Sequence, residues 1–291
     1  AVITRLKATD HTAYTLNEKI GGIDALFFAR DLLERIDTDW LTIRQKIQTI
    51  HQKIISQNGI LVNLTAESSA LKKVTPQVEQ FVSTLPICSN HPIQLSKQTY
   101  PVSEALIVPS RINFVGAAAN LYEQNYQMHG SALVISRYLQ TAWLWEKIRV
   151  QGGAYGGMCA FDQRVGTFTF ASYRDPNLED SIKIYQQTGQ FLKDLKLDEA
   201  ELTRSLIGAI GQLDAYMLPD SKSFTNAKRR LVGYTDTKRQ QLRDEVLSTT
   251  QQHFNQFGEI LDAAFRNPRV AVLCDQESAA RAGLKTQTIV L

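Results

Sequence analysis

Hydrophobic and polar positions repeat with a helical period over the first part of the chain. Apolar residues recur at helical spacing from about residue 15 to residue 58, and Asp37-Thr38-Asp39 separates two predicted helices there. Gly21-Gly22 interrupts the first pattern and predicts a break or very close packing. Residues 1–10 look extended and polar, whereas residues 60–65 form a short β-rich run.

The remaining pattern alternates between pairs of strands and groups of helices. Helices are predicted over residues 68–85, 131–150, 175–195, 198–217, 221–232, 236–249 and 250–265. Strands are predicted over residues 105–109, 112–115, 158–161, 165–173 and 269–274, and a loop over residues 86–92. This order predicts an α+β fold, an antiparallel sheet with helices packed on one face in two layers, preceded by a helical segment.

Three local features sharpen that picture. The helix over residues 131–150 is apolar nearly all round, so we expect it to be buried. Asp175-Pro176 predicts an N-cap followed by a proline in the first helical position. The small residues of Gly116–Ala119 predict close approach of another backbone.

Composition excludes several classes of function. The chain has 291 residues, 43% of them apolar, which suffices for a sizeable core. A net charge of +3 gives no support for a nucleic-acid or membrane-surface partner, and Lys228-Arg229-Arg230 is interpreted as a solvated helix face. Three widely spaced cysteines predict buried free thiols rather than disulfides.

Motifs for metal, nucleotide and nucleophilic sites are missing from the sequence. The five histidines are isolated, and none lies in H-E-x-x-H or H-x-x-E-H, so no metal site is expected on this chain. There is no G-x-G-x-x-G, no Walker-type loop and no G-x-S-x-G elbow. Cys159 has apolar neighbours and is interpreted as a core thiol, not a nucleophile.

The stretch that remains is Arg149 to Gly157, which holds four glycines in its last six positions. Glycine permits φ > 0 and close approach of another backbone. One interpretation is structural, with Arg149 capping the preceding helix and Tyr155 partly buried. The other is a clamp for a peptide carbonyl, in which Tyr155 donates its hydroxyl proton and Arg149 supplies positive charge where negative charge develops.

Several segments resemble the presequence-protease subfamily of the pitrilysin/insulinase zinc metallopeptidases. The match runs from about residue 5 to residue 275. It includes Arg149-Val-Gln-Gly-Gly-Ala-Tyr-Gly156, Ser172-Tyr-Arg-Asp-Pro-Asn177, Ser136-Arg-Tyr-Leu-Gln-Thr-Ala-Trp-Leu-Trp145, Glu18-Lys-Ile-Gly-Gly-Ile23, Gly59-Ile-Leu-Val-Asn-Leu-Thr65, Asn120-Leu-Tyr-Glu-Gln124, Leu213-Asp-Ala-Tyr216 and Leu242-Arg-Asp-Glu-Val246.

This resemblance implies a metalloendopeptidase that degrades unstructured peptides inside a closed chamber. Zinc would be held by an N-terminal half of the same enzyme, and this chain would be its zinc-free C-terminal part, expected to be inactive alone. Residues 1–58 would be the helical tail of a third domain, and residues 59–291 the C-terminal peptidase domain. By motif match, Arg149 and Tyr155 would contact the substrate and its oxyanion at the zinc.

Because glycines let a peptide strand come close in this clamp, substrate binding is also expected at Gly152, Gly153, Ala154 and Gly156. The peptide and the N-terminal half would be the partners, with neither nucleic acid nor membrane. The alternative is a non-catalytic binding or structural subunit of the superfamily. The start at Ala1 without an initiator Met and the missing H-x-x-E-H predict a fragment of a larger protein. A bacterial cytoplasmic location is expected, or an organellar matrix or stroma in a eukaryote.

Overall fold

The computed structural model describes residues 1–88 and 94–288, so residues 89–92 of the predicted loop lie outside the described residues. The chain forms two compact units. The first comprises Ala1–Ala25, Leu95–Asp214 and Gln240–Leu291, and the second comprises Leu26–Gln94 and Ala215–Arg239. The assignment of residues 1–58 and 59–291 to two domains of a larger enzyme stays a prediction.

The second unit is helical. It contains most of α3 (Ile23–Arg35), together with α4 (Trp40–Ile54), α5 (Ser68–Ser83) and α9 (Pro219–Leu231). The β-rich run at residues 60–65 forms no strand in the structure, because those residues belong to no hydrogen-bonded ladder. A run with high β-propensity becomes a strand only when another strand pairs with it.

The first unit is a sheet covered by helices. Its helices are α1 (Val2–Ala8), α2 (Thr12–Gly21), α6 (Ser131–Thr141), α7 (Leu178–Asp194), α8 (Glu199–Leu213), most of α10 (Asp236–Leu247), α11 (Gln251–Ala264) and α12 (Gln276–Arg281). Its strands are β1 (Ser103–Ile107), β2 (Asn113–Asn120), β3 (Gly156–Asp162), β4 (Thr167–Asp175), β5 (Arg269–Cys274) and β6 (Lys285–Thr288).

The order of the strands is β3-β4-β2-β5-β1-β6. The α+β class is confirmed, and the pairs β3–β4, β4–β2 and β2–β5 are antiparallel as expected. The pairs β5–β1 and β1–β6 are parallel, so the sheet is mixed. Parallel neighbours need long crossover connections, and a local sequence pattern does not reveal their direction.

The larger core lies on one face of this sheet. Phe168 and Phe170 of β4 project into it, and the ring of Phe170 stacks on Tyr185 of α7 at a centroid distance of 5.0 Å. Phe257 of α11 meets Phe168 at 5.8 Å. Since side chains alternate along a strand, Thr169 and Tyr173 project from the opposite face.

That opposite face is covered in part by α1, which forms where an extended segment was predicted. Val2 and Leu6 lie one helical turn apart and pack on Ala118 and Ala271. A Cβ at Gly116 would lie 2.5 Å from Val2 Cγ1 and 2.9 Å from Leu6 Cδ1, so this small residue makes room for side chains of α1, where the sequence predicted a backbone. A two-turn helix offers too few repeats for its period to be recognised in sequence.

The predicted break at Gly21-Gly22 is confirmed, since α2 ends at Gly21 and α3 begins at Ile23. A Cβ at Gly22 would lie 1.9 Å from Glu18 Oε2, which explains the glycine. The prediction of one continuous helix over residues 131–150 is wrong. The α-helix α6 ends at Thr141, and a separate π-helical segment follows over Trp145–Gln151.

Candidate functional site

The π-helical segment presents Arg149 at its exposed side. Ile148 is 1% exposed and anchors the segment in the core, whereas Arg149 lies at the surface. The guanidinium carbon of Arg149 lies 4.2 Å from the ring centroid of Trp145. π-Helical turns are frequent at functional sites because they shift the direction of the side chains that follow.

The glycines fix the path of the loop that leaves this segment. A Cβ at Gly152 would lie 2.7 Å from the carbonyl oxygen of Ile148, and Gly153 has φ +74°, a conformation that favours glycine. Ala154 is buried, and its N–H donates to the Ile148 carbonyl at 3.1 Å. Asn177 donates its side-chain amide to the Gly152 carbonyl. The loop is therefore held at both ends.

Tyr155 follows this anchored loop and is 63% exposed. Its N–H donates to the carbonyl of Tyr173 at 3.1 Å, which ties the residue to the end of β4. The guanidinium carbon of Arg149 lies 5.8 Å from the Tyr155 ring centroid. The structure thus brings together the two residues that the sequence singled out, and leaves both at the surface.

The two side chains make ring contacts, but their polar atoms are left without described hydrogen bonds. Among residues 1–88 and 94–288, no hydrogen-bond partner is found for the Arg149 guanidinium or for the Tyr155 hydroxyl. The helix-capping interpretation of Arg149 is not what the structure shows, because its guanidinium stacks on Trp145. Donors that the fold itself does not need are free to bind a carbonyl or an oxyanion.

The other predicted site residues differ in their exposure. Gly153 is exposed, Gly152 and Gly156 are half-buried, and Ala154 is buried. A Cβ at Gly156 would meet no atom within 4 Å, so nothing in the described chain requires a glycine there. The role of these four residues in substrate binding stays a prediction.

Two neighbouring residues were not identified as site residues from the sequence. Tyr173 lies edge-on to Tyr155 with centroids 5.6 Å apart, and Arg174 lies 5.8 Å from the Tyr155 ring centroid. The available signal was the Ser172–Asn177 segment, where Asp175 was interpreted as an N-cap. That interpretation is wrong, because the N-cap of α7 is Asn177. The Asp175 carboxylate instead receives the N–H of Asn177 at 2.8 Å.

Of the three cysteines predicted to be buried free thiols, Cys159 and Cys274 are buried, whereas Cys88 is only half-buried, so the prediction is wrong there. Cys159 is buried, its thiol donates to the Ser136 carbonyl at 3.4 Å, and burial raises its pKa far above the ordinary value, so it is a core thiol as predicted. Over residues 1–88 and 94–288, no three His, Cys, Asp or Glu side chains are grouped as metal ligands. No helix described there is both long and apolar enough to span a membrane.

The sequence of this chain is similar to those of presequence proteases. Residues 103–275 match the family model described as the PreP C-terminal domain. Presequence protease 1, chloroplastic/mitochondrial, of Arabidopsis thaliana is 39% identical over 269 residues, which cover 92% of this chain and 25% of that protein. The mitochondrial presequence protease of Saccharomyces cerevisiae is 28% identical over 247 residues, covering 81% of this chain and 25% of that protein.

The chain therefore spans about a quarter of the length of these curated relatives. Among solved structures, the crystal structure of a peptidase M16 inactive domain from Pseudomonas fluorescens superposes with a TM-score of 0.51 at 11% identity. That match covers 72% of this chain and 52% of the other. At this identity the likeness shows a common fold.

Proposed function

The chain belongs to the PreP C-terminal domain family, and from this membership we propose that it is the zinc-free C-terminal part of a metalloendopeptidase that degrades unstructured peptides. The membership confirms the family predicted from segments such as Arg149–Gly156. The observation that carries the proposal is the pairing of Arg149 with Tyr155 at the surface, each with donors that no described residue uses.

In this proposal Arg149 and Tyr155 act on the scissile peptide. The Tyr155 hydroxyl donates to the carbonyl oxygen, and the nearby guanidinium stabilises the negative charge that this oxygen gains in the transition state. The anchored backbone from Gly152 to Ala154 keeps both groups in place before substrate arrives, so little reorganisation is needed. Gly152, Gly153, Ala154 and Gly156 line the backbone path of the peptide.

The metal chemistry would come from an N-terminal half that carries zinc. Zinc bound there would supply the activation of the attacking water, and in this proposal the present chain would hold no metal of its own. The partners of the chain are then that half and an extended peptide. The compartment stays a prediction, since the names of the relatives give chloroplast and mitochondrion for those proteins alone.

The test uses the full-length gene product that contains this chain. We expect Arg149→Ala and Tyr155→Phe each to lower kcat/KM for an unstructured peptide by ~10²-fold or more, because each removes a preorganised contact to the oxyanion. Tyr216→Phe is the matched control, since Tyr216 is 86% exposed and should leave kcat/KM unchanged.

Two results would contradict the proposal. Near-normal turnover in both variants would remove the assigned roles and favour a non-catalytic binding or structural subunit. Zinc-dependent cleavage by the isolated 291-residue chain would show that no other half is required.

A further inference from the structure

Arg174 has an unusual backbone conformation for its residue type. Its φ is +50°, in the left-handed region that glycine favours and that costs other residues roughly 1–2 kcal/mol. The residue lies at the end of β4, where the register shifts between Asn113 and Val115 of β2. Ser172 pairs with Val115 and Asp175 pairs with Asn113, so two residues of β4 oppose one of β2. This is a β-bulge.

The bulge changes the direction of the Arg174 side chain. Ser172 is buried and Tyr173 is exposed, so regular alternation would turn the next side chain inward. Arg174 is exposed instead, and its guanidinium carbon lies 5.4 Å from the Tyr173 ring centroid and 5.8 Å from that of Tyr155. Bulges are enriched next to active sites because they redirect a side chain in this way.

The conformation is enforced by buried groups around Arg174 and not by Arg174 itself. Asn113 donates its side-chain amide to the Asp175 carbonyl at 2.9 Å. The Asp175 carboxylate, which is 1% exposed, accepts from Ser181 Oγ at 2.6 Å and from Ser172 Oγ. Within the described residues the Arg174 guanidinium has no carboxylate partner. A glycine would suit this backbone conformation better, so the backbone itself does not require an arginine at this position.

We propose that Arg174 is a positioning residue for Tyr155, holding its ring by a cation–π contact beside the one from Arg149. The inference rests on the proposed function, because it assigns Arg174 to the same peptide site. Strain that persists at an exposed, non-glycine position points to a use of the side chain. That use is to restrict the ring of Tyr155, which is otherwise largely solvent-exposed.

Three substitutions in the full-length product separate charge from backbone strain. Arg174→Lys keeps the cation and the strain, Arg174→Gln keeps the strain alone, and Arg174→Gly removes both. We expect Arg174→Gln and Arg174→Gly to lower kcat by about two- to fivefold with little change in KM, because each removes one exposed cation–π contact. We expect Arg174→Lys to retain most of the activity. The thermal midpoint of Arg174→Gly should equal or exceed that of the unmodified protein, because the backbone strain is relieved.

A readout independent of activity follows the ring itself. In the ¹³C-tyrosine NMR spectrum of the 291-residue chain, Arg174→Gln and Arg174→Gly should change the chemical shifts of the Tyr155 ring. Arg174→Lys should leave these chemical shifts unchanged. Arg164→Gln is the matched control, since Arg164 is exposed in the turn at the other end of the same hairpin. It should change neither kcat nor the Tyr155 signals.

The outcomes distinguish this inference from the proposed function. If Tyr155→Phe and Arg149→Ala abolish turnover while all three Arg174 variants keep both kcat and the ring signals, the positioning role alone is wrong. A higher KM at unchanged kcat in Arg174→Gln would also overturn it, since that pattern indicates direct binding of substrate. If Tyr155→Phe and Arg149→Ala both leave turnover near normal, the proposed function fails, and the NMR result still decides whether Arg174 holds the ring.

Discussion

At the scale of single residues, the carboxylate of Asp175 stabilises the turn between β4 and α7. It is buried and accepts from Ser181 Oγ at 2.6 Å, from the N–H of Asn177 at 2.8 Å and from Ser172 Oγ. Asp175→Asn replaces one acceptor oxygen by an NH₂ donor, which cannot accept from these groups. We expect the free energy of unfolding to fall by about 1–3 kcal/mol, measured by urea denaturation.

The control for this prediction lies on α7, the helix that follows this turn. Asp180 has a side chain that is 69% exposed and pairs with Lys183 at 3.0 Å. Because exposed ion pairs contribute little, Asp180→Asn should change the free energy of unfolding by less than about 0.5 kcal/mol. Equal losses in the two variants would show that the Asp175 network does not stabilise the turn.

At the scale of elements, the loop between the π-helical segment and β3 has no room for a side chain at Gly152. A Cβ at Gly152 would lie 2.7 Å from the Ile148 carbonyl oxygen and 2.9 Å from that of Lys147, and backbone atoms cannot move aside as a flexible side chain can. We expect Gly152→Ala to destabilise the chain by about 1–3 kcal/mol, measured by urea denaturation.

Gly156→Ala is the matched variant at the first residue of β3, where this loop ends. No atom lies within 4 Å of a Cβ built there, and its φ is not in the left-handed region. Its stability should stay unchanged or rise by about 0.4–1 kcal/mol through the loss of unfolded-state entropy. A Gly156→Ala chain that is as unstable as Gly152→Ala would refute the steric explanation.

Sequence periodicity predicts elements whose partners are close in the chain. The β3–β4 hairpin follows from the alternation around Phe168 and Phe170 and from its short turn, and α7 follows from its long apolar period. The parallel pairing of β1 with β5 joins residues more than 160 positions apart, and no local pattern records it. Tertiary contacts likewise decide that the predicted helix over residues 131–150 ends early.

In the candidate site, too, the sequence identifies residues marked by a local pattern and misses one that depends on a distant strand. Arg149 and Tyr155 could be found because glycines mark their loop and because the motif resembles a known family. Arg174 could not, since its position depends on a bulge set by Asn113 on another strand. A sequence pattern with period two assigns Arg174 to the inward face, which is the opposite of its place in the structure.

At the scale of the whole molecule, stability should depend on a pair of histidines. The rings of His129 and His253 stack 4.7 Å apart with an interplanar angle of 10°. Burial, together with the neighbouring His129, lowers the pKa of His253 below its ordinary value. Its Nδ1 accepts the N–H of Thr250 at 3.0 Å in the capping box of α11, a contact that requires an unprotonated Nδ1.

The sign of the pH dependence follows from proton binding. Between the lowered pKa of folded His253 and the unfolded value of about 6.5, the unfolded chain binds more protons than the folded chain. The contribution of His253 to the free energy of unfolding should therefore be complete above about pH 6.5. It should be lost progressively as the pH falls below that value. Urea denaturation at pH 7.5 and at pH 5.5 measures the difference.

His253→Gln tests the assignment, because glutamine keeps an acceptor in the capping box and does not titrate. We expect this variant to lose less stability between the two pH values than the unmodified chain. His51 is exposed on α4, so His51→Gln should lose as much free energy of unfolding between pH 7.5 and pH 5.5 as the unmodified chain. If His253→Gln and the unmodified chain lose the same free energy on acidification, the coupling arises elsewhere, and the stacked pair does not link protonation to the stability of the fold.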